Sequence, residues 1–145
     1  MQALLMLTNH AEVHEGLFYI HGGGWDYIGP GPATFALAVR VDVPWDQTNI
    51  EHHWNLTLQD ADGHLVKAPN GPDAKLKEVT VGDKFEVGRP AGAKVGTPQH
   101  GSLVFQFANL ALTPGERYRF EFVVDGQPVG EIAFNVRSTP KTTGD

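Results

Sequence analysis

Phe35-Ala36-Leu37-Ala38-Val39-Arg40-Val41-Asp42-Val43 is the stretch that decides the fold. Phe35, Leu37, Val39, Val41 and Val43 fall on one side of an extended chain, and Ala36, Ala38, Arg40 and Asp42 on the other. Successive side chains of a strand point to opposite faces, so this period of two predicts a strand with one face in a core. The same pattern returns downstream. Trp54, Leu56 and Leu58 alternate with His53, Asn55, Thr57 and Gln59. Val79, Val81, Phe85 and Val87 form another run, with Gly82 read as a bulge position. Leu103, Phe105 and Phe107, then Tyr118, Phe120, Phe122 and Val124, then Ile132, Phe134 and Val136 complete the series.

Toward the N-terminus the pattern is less regular. Ala3 to Leu7 is a short continuous apolar run, which suits a strand covered on both faces. His10 to Glu15 is polar and reads as strand end and loop, closed by Gly16. Leu17 to His21 resumes with aromatic and β-branched residues, hence a strand. Asp60-Ala61-Asp62-Gly63 is a compact turn leading into His64-Leu65-Val66, and Asp125-Gly126 is a hairpin turn. Residues 67–74 and 89–99 are rich in proline and glycine and read as loops.

Eight or nine short strands with regularly spaced turns and no amphipathic helix of ordinary length define an all-β chain, an antiparallel sandwich or barrel. Leu112-Thr113-Pro114-Gly115-Glu116-Arg117-Tyr118 narrows the choice. It resembles the L-x-P-G-x-x-Y corner of fibronectin type III and related sandwiches, in which the tyrosine hydroxyl bonds back to upstream backbone. The expectation is therefore an immunoglobulin/fibronectin-III-like β-sandwich over residues 1–137, with a flexible tail over 138–145.

Composition excludes several kinds of work. The 145 residues are one domain's length, enough to hide about two-thirds of the unfolded surface without a metal or disulfide. There is no cysteine, which removes thiol nucleophiles, zinc–thiolate sites and iron–sulfur ligation. Eleven basic residues against 17 acidic give a formal charge of −6 with no basic run, which disfavours nucleic acid as a partner. No apolar run approaches the ~20 residues of a membrane span, and Leu4 to Leu7 lacks the flanks of a signal peptide. The expected setting is cytoplasmic, with a virion component as a variant of that reading.

His21-Gly22-Gly23-Gly24-Trp25-Asp26 looks like the segment that supplies oxyanion-hole amides in one group of α/β-hydrolase esterases. Such an enzyme also needs a serine on a G-x-S-x-G elbow and alternating helices, and neither is present. Without a nucleophile, those amides have no developing charge to stabilise. Phosphate cradling would need a following helix and usually a lysine, whereas Gly29-Pro30-Gly31-Pro32 follows. The glycines therefore read as a bulged or tightly turned strand end.

Seven histidines raise a metal site. His10 and His14 lie in the expected strand end and loop, and adjacent His52 and His53 point to opposite faces of a strand. With His21, His64 and His100 they read as scattered surface residues. Asp60-Ala61-Asp62-Gly63 lacks the later glutamate of a calcium loop. The expectation is no metal, no cofactor and no catalytic residue.

Leu4 to Leu7, Gly22 to Asp26, Gly29 to Pro32, Val43-Pro44-Trp45-Asp46 and Phe85 to Pro90, with Leu112 to Tyr118 and Asp125-Gly126, together resemble a bacterial family known only as a domain of unknown function. The resemblance implies a small single-domain β-sandwich and brings no activity with it. From the residues themselves, Trp25-Asp26 and Trp45-Asp46 are two aromatic–acid pairs at strand ends, expected on adjacent strands or loops at one end of the sandwich. Trp25, Asp26, Tyr27, Trp45 and Asp46 form the candidate recognition patch, with at least one tryptophan plugging an end of the core. The leading functional expectation is a non-enzymatic module acting through a protein partner or self-association. The alternative is a small-ligand or carbohydrate binder using the aromatic patch.

Overall fold

The computed structural model describes residues 1–69 and 76–140. Its strands are β1 (Gln2–His14), β2 (Leu17–Gly23), β3 (Tyr27–Ile28), β4 (Ala33–Val43), β5 (Glu51–Asp60), β6 (Lys67–Pro69), β7 (Leu76–Glu78), β8 (Thr80–Glu86), β9 (Gln99–Leu110), β10 (Arg117–Val124) and β11 (Gln127–Val136). Among the described residues the one helical element is a single 3-10 turn, Trp45–Gln47. Nine strands form two sheets, ordered β2-β1-β4-β9 and β3-β11-β10-β5-β8, while β6 and β7 pair as a separate ribbon. Every neighbouring pair is antiparallel except β3, which joins β11 in parallel. The expected all-β sandwich is the observed one.

The core lies between the sheets, where the alternation placed it. Phe35, Leu37, Val39, Val41 and Val43 of β4 are all 1% exposed or less. They cluster with Trp54, Leu56 and Leu58 of β5, Phe120, Phe122 and Val124 of β10, and Phe134 and Val136 of β11. Each such side chain stabilises the fold by about 1.5–3 kcal/mol through the surface it removes from water. Phe35 is the centre of the aromatic packing. Its ring lies 5.2 Å from Phe107, 5.5 Å from Trp25 and 6.1 Å from both Phe120 and Phe134. The tyrosine corner is also present: the Thr113 amide donates to the Tyr118 hydroxyl at 2.9 Å, with Leu112 and Tyr118 both buried.

The first strand differs from its expectation in two ways. Leu5 and Leu7 are buried, but Leu4 is 67% exposed, so Ala3 to Leu7 is covered on one face only. The strand also does not stop at Leu7. It runs on through His14, turns at Glu15-Gly16 (φ 53° and 75°) and returns as β2. The segment 10–14 that looked like a loop is part of a hairpin arm, with His10, Glu12 and His14 facing solvent and Ala11 buried. A two-residue turn with both central φ angles positive matches the twist of a hairpin, and Asp125-Gly126 (φ 50° and 78°) repeats the device between β10 and β11.

The arm lies over the outer face of β4 and β9. Gln106 Nε2 donates to the Ala11 carbonyl at 2.7 Å, and the Ser102 hydroxyl donates to the Gly16 carbonyl at 3.1 Å. Beneath it Thr8 donates its hydroxyl to the Ala36 carbonyl at 3.0 Å. Ala36 and Ala38, assigned by alternation to the solvent side, are therefore buried at 0% and 4% exposure. Methyl side chains leave room for a second layer of backbone to approach.

Other details depart from the sequence reading. Gly82 pairs with Asn55 in an unbroken register, so it is not a bulge; a Cβ there would sit 3.3 Å from the Trp54 carbonyl. Close approach, not extra length, explains that glycine. Residues 67–69 pair with 76–78 as the β6–β7 ribbon. The remainder of the loop expected over 67–74, and most of the tail expected over 138–145, fall on 70–75 and 141–145, outside the described residues.

Candidate functional site

Gly22, Gly23 and Gly24 close β2 and turn the chain toward the second sheet. Gly22 and Gly24 have φ of 62° and 93°, a region that favours glycine. The Gly24 amide donates to the Leu7 carbonyl at 2.8 Å, and a Cβ on Gly22 would overlap the Asn9 side chain. The glycine run thus makes a tight crossing between the sheets.

Trp25 follows and plugs this end of the core. Its indole stands edge-on to Phe35 and to Phe134, at 84° and 90°, and its buried Nε1 has no hydrogen-bond partner. Asp26 is exposed, and its backbone carbonyl accepts from Asn135. Tyr27 begins β3 and is 52% exposed. The Arg137 amide donates to the Ile28 carbonyl at 2.9 Å. Asn9, Trp25, Tyr27, Ile28 and Arg137 line, with the glycines, an open hollow of about 540 Å³.

Trp45 is elsewhere. It opens the 3-10 turn just past Val43, at the opposite end of β4 from Phe35. Eight residues of strand at ~3.3 Å each separate those ends by about 26 Å. The two tryptophan–aspartate pairs therefore lie at opposite ends of the sandwich, and the expectation that they share one end is corrected. They had to: an eleven-residue strand connects them. The Arg89 guanidinium sits 3.9 Å above the Trp45 ring, donates to the Trp45 carbonyl at 2.7 Å and donates through Nε to Thr48 Oγ1 at 2.6 Å. Cation–π contact and hydrogen bonds make Trp45 the anchor of the loop after β8. Asp46 beside it is exposed.

The histidines fall into three settings. His52 is buried, with Nδ1 2.6 Å from Asp125 Oδ2 and Nε2 2.8 Å from the Gln47 carbonyl. Both ring nitrogens face acceptors, the pattern satisfied by an imidazolium. Burial resists the charge, but the Gln47 carbonyl and then the Asp125 carboxylate outweigh it, so the His52 pKa is raised. The Asp125 pKa is lowered by its bond to His52 and then by the His53 amide, which donates to it at 2.9 Å. This pair ties the β10–β11 turn to β5 and the 3-10 turn. His52 and His53 do point to opposite faces, as the sequence required.

His10 and His14 form the second setting. Because β1 runs through them, residues 10, 12 and 14 share one strand face. His10 Nε2 lies 3.2 Å from Glu12 Oε1 and His14 Nε2 lies 2.9 Å from Glu12 Oε2. The Glu12 pKa is lowered by His14 first and by His10 second. His21 sits across the hairpin from His10, ring centroids 6.2 Å apart. Sequence reasoning missed this group because it took the segment for a loop. In the third setting Asp60, Asp62 and His64 place one donor atom each within 4.8 Å of one another, around a turn in which Asp60 Oδ1 accepts from the amides of residues 62 and 64.

Fold and surface together define a two-sheet all-β domain with a hairpin arm. The chain belongs to a family of unknown function, DUF6941, which matches residues 3–137. No curated protein matches it. Among solved structures, it is similar to a Pseudomonas fluorescens alkylpurine DNA glycosylase, AlkC, bound to DNA containing an abasic site analog, at 15% identity and a TM-score of 0.39. The match covers 92% of this chain and 30% of the glycosylase chain. Among the described residues, no helix is long and apolar enough to cross a membrane.

Proposed function

We propose that this chain is a non-enzymatic interaction module, an immunoglobulin/fibronectin-III-like sandwich that works through the β1–β2 arm by self-association or by binding a protein partner. The observation that carries the reading is the apolar surface of the arm. Leu4 (67% exposed), Met6 (37%), Leu17 (60%), Tyr19 (53%) and Ile20 (37%) all lie on β1 and β2. Met6 and Ile20 belong to one patch, since a Cβ on Gly23 would meet both within 3 Å. β2 is also an edge strand, paired on one side only. Leu17, Tyr19 and Ile20 are exposed apolar side chains on that unpaired edge, the feature that strand addition uses, and an antiparallel edge can pair with its own copy around a two-fold axis.

In this reading the module performs no catalytic step, holds no cofactor for chemistry and avoids nucleic acid through its −6 charge. Light scattering on the eluting protein is expected to give a mass above that of one chain, rising with concentration. Leu17→Lys with Tyr19→Lys is expected to return the mass to one chain at an unchanged melting temperature. A wild-type protein that stays monomeric and binds no partner would count against the proposal.

A second reading rests on the hollow beside Trp25. Exposed Tyr27 and the Arg137 guanidinium offer a stacking ring and a hydrogen-bond donor to a small ligand or carbohydrate. Trp45 takes no part, being at the other end. Sugar titration monitored by tryptophan fluorescence is expected to give a saturable change that Tyr27→Ala abolishes. A flat response across a broad panel ends this alternative.

A further inference from the structure

We propose that the partner at the β2 edge is a second copy of this chain, paired antiparallel to the first about a two-fold axis that passes at Tyr19. This rests on the reading of β2 as an interaction edge, and it fixes both the partner and the register.

The register follows from the backbone. The two-residue turn makes His14 and Leu17 a hydrogen-bonded pair, and such pairs alternate along an antiparallel ladder. Leu17, Tyr19 and His21 therefore spend their N–H and C=O groups on β1, while Phe18 and Ile20 turn theirs outward. Outward residues of one copy must meet outward residues of the other, so the axis passes at a residue and not between two. Gly16 and Gly22, with φ of 75° and 62°, bracket the extended run, and the left-handed region does not continue a strand. The pairing with β1 likewise passes from His21 to Gly23 without Gly22. The usable run is thus residues 17–21, and its centre is Tyr19. With the axis there, Phe18 exchanges both hydrogen bonds with the partner's Ile20, and Leu17 faces the partner's His21. An axis at Phe18 or Ile20 would instead set an outward residue against Gly16 or Gly22.

The side chains agree with this register. Tyr19 (53% exposed) meets the partner's Tyr19, and Phe18 meets the partner's Ile20 (37% exposed). Aromatic–aromatic and aromatic–β-branched neighbours are the cross-strand pairs that stabilise a sheet, by about 0.2–1 kcal/mol each. The charges allow it as well. Each copy carries a formal −6, yet residues 17–21 contain no acid, lysine or arginine. Glu12 lies across β1–β2 from Tyr19, so the two Glu12 carboxylates are separated by both tyrosines. Three strand spacings of ~4.8 Å put them about 14 Å apart, beyond the screening length of ~8 Å at physiological salt. The edge strand β8 differs, since it carries Asp83, Lys84 and Glu86. One short strand per copy is a small contact, so the pairing is reversible and depends on concentration.

The chain has no cysteine, so disulfide trapping of introduced cysteines tests the register directly. At the axis Tyr19 and the partner's Tyr19 form a non-hydrogen-bonded pair with Cα atoms about 4.5 Å apart, within the span of a disulfide. Mild oxidation of Tyr19→Cys in the full chain is expected to give mainly covalent dimer. Phe18→Cys and Ile20→Cys place like residues about 8 Å apart, beyond the ~7 Å limit, and are expected to stay monomeric on denaturing gels. Leu17→Cys alone and His21→Cys alone are offset by about 13 Å and are expected to do the same, which also controls for random collision of exposed thiols. Leu17→Cys with His21→Cys, which keeps the Tyr19 ring, is expected to cross-link. Cross-linking that peaks at residue 18, 20 or 21 in the single variants would overturn the axis at Tyr19 and leave self-association at β2 standing. If no variant cross-links while light scattering shows wild-type dimer, pairing through β2 is overturned. A monomeric wild type with no cross-linking overturns the second copy as partner, and leaves a different protein partner at this edge to be judged by its own binding.

Discussion

Phe35→Ala is expected to lower the unfolding free energy by about 3–5 kcal/mol, the usual cost of deleting a ring from a core that cannot collapse around the gap. Phe35 is 1% exposed and its ring meets Trp25, Phe107, Phe120 and Phe134, so one truncation strips contacts from β4, β9, β10, β11 and the end plug together. Domains of this size hold about 5–15 kcal/mol in total, so the variant should lose a large share of its stability. Urea denaturation is the measurement. The midpoint should fall while the slope stays constant, since the surface exposed on unfolding is nearly the same. A loss below about 1 kcal/mol, in the range of a volume-conserving swap, would mean that the ring is not central to the packing.

The second large effect is electrostatic. His52→Gln is expected to cost about 2–3 kcal/mol near pH 5.5, the scale of hydrogen bonds to charged groups, discounted for the 47% exposure of the Asp125 side chain. The pH dependence has a definite sign. His52 has a raised pKa, so its contribution is full below the ordinary value of 6.5 and is lost as pH rises through the folded value above it. Asp125 has a lowered pKa, so its contribution is full above 3.8 and is lost as pH falls through the folded value below that. The stability gap between wild type and variant should therefore be widest from pH 3.8 to 6.5 and shrink on both sides. A gap that widened toward pH 8 would contradict an imidazolium at His52.

Most of the sandwich could be read directly from alternation, because strands half in the core write their burial into every second residue. Phe35 to Val43, Trp54 to Leu58 and Tyr118 to Val124 did so, and Leu112 to Tyr118 named the corner between sheets. What alternation could not report was a second layer. Ala36 and Ala38 look solvent-facing in sequence, and only the arm lying above them makes them interior. The arm itself was hidden because His10, Glu12 and His14 point to water and so carry no apolar signal. The period of two was there, in polar residues.

The site residues were partly legible. Trp25 as an end plug follows from a large ring beside a glycine turn. Its separation from Trp45 was implicit in the strand between them. The His52–Asp125 bond joins residues 73 apart and leaves no local mark, since neither residue type is unusual where it stands. Leu17, Tyr19 and Ile20 read as ordinary strand residues, and only the position of β2 at the sheet's edge turns them into a surface.

Self-association at the β2 edge, as proposed above, is tested most directly by amide hydrogen exchange at two protein concentrations. The two-residue turn makes His14 and Leu17 a hydrogen-bonded pair, so the alternate amides of β2, those of Phe18 and Ile20, point away from β1. Strand addition would bond them. Protection at Phe18 and Ile20 that rises with concentration, while the other sheet edges stay unchanged, is the predicted result. Exchange at those two amides that is fast and independent of concentration would contradict self-association at this edge.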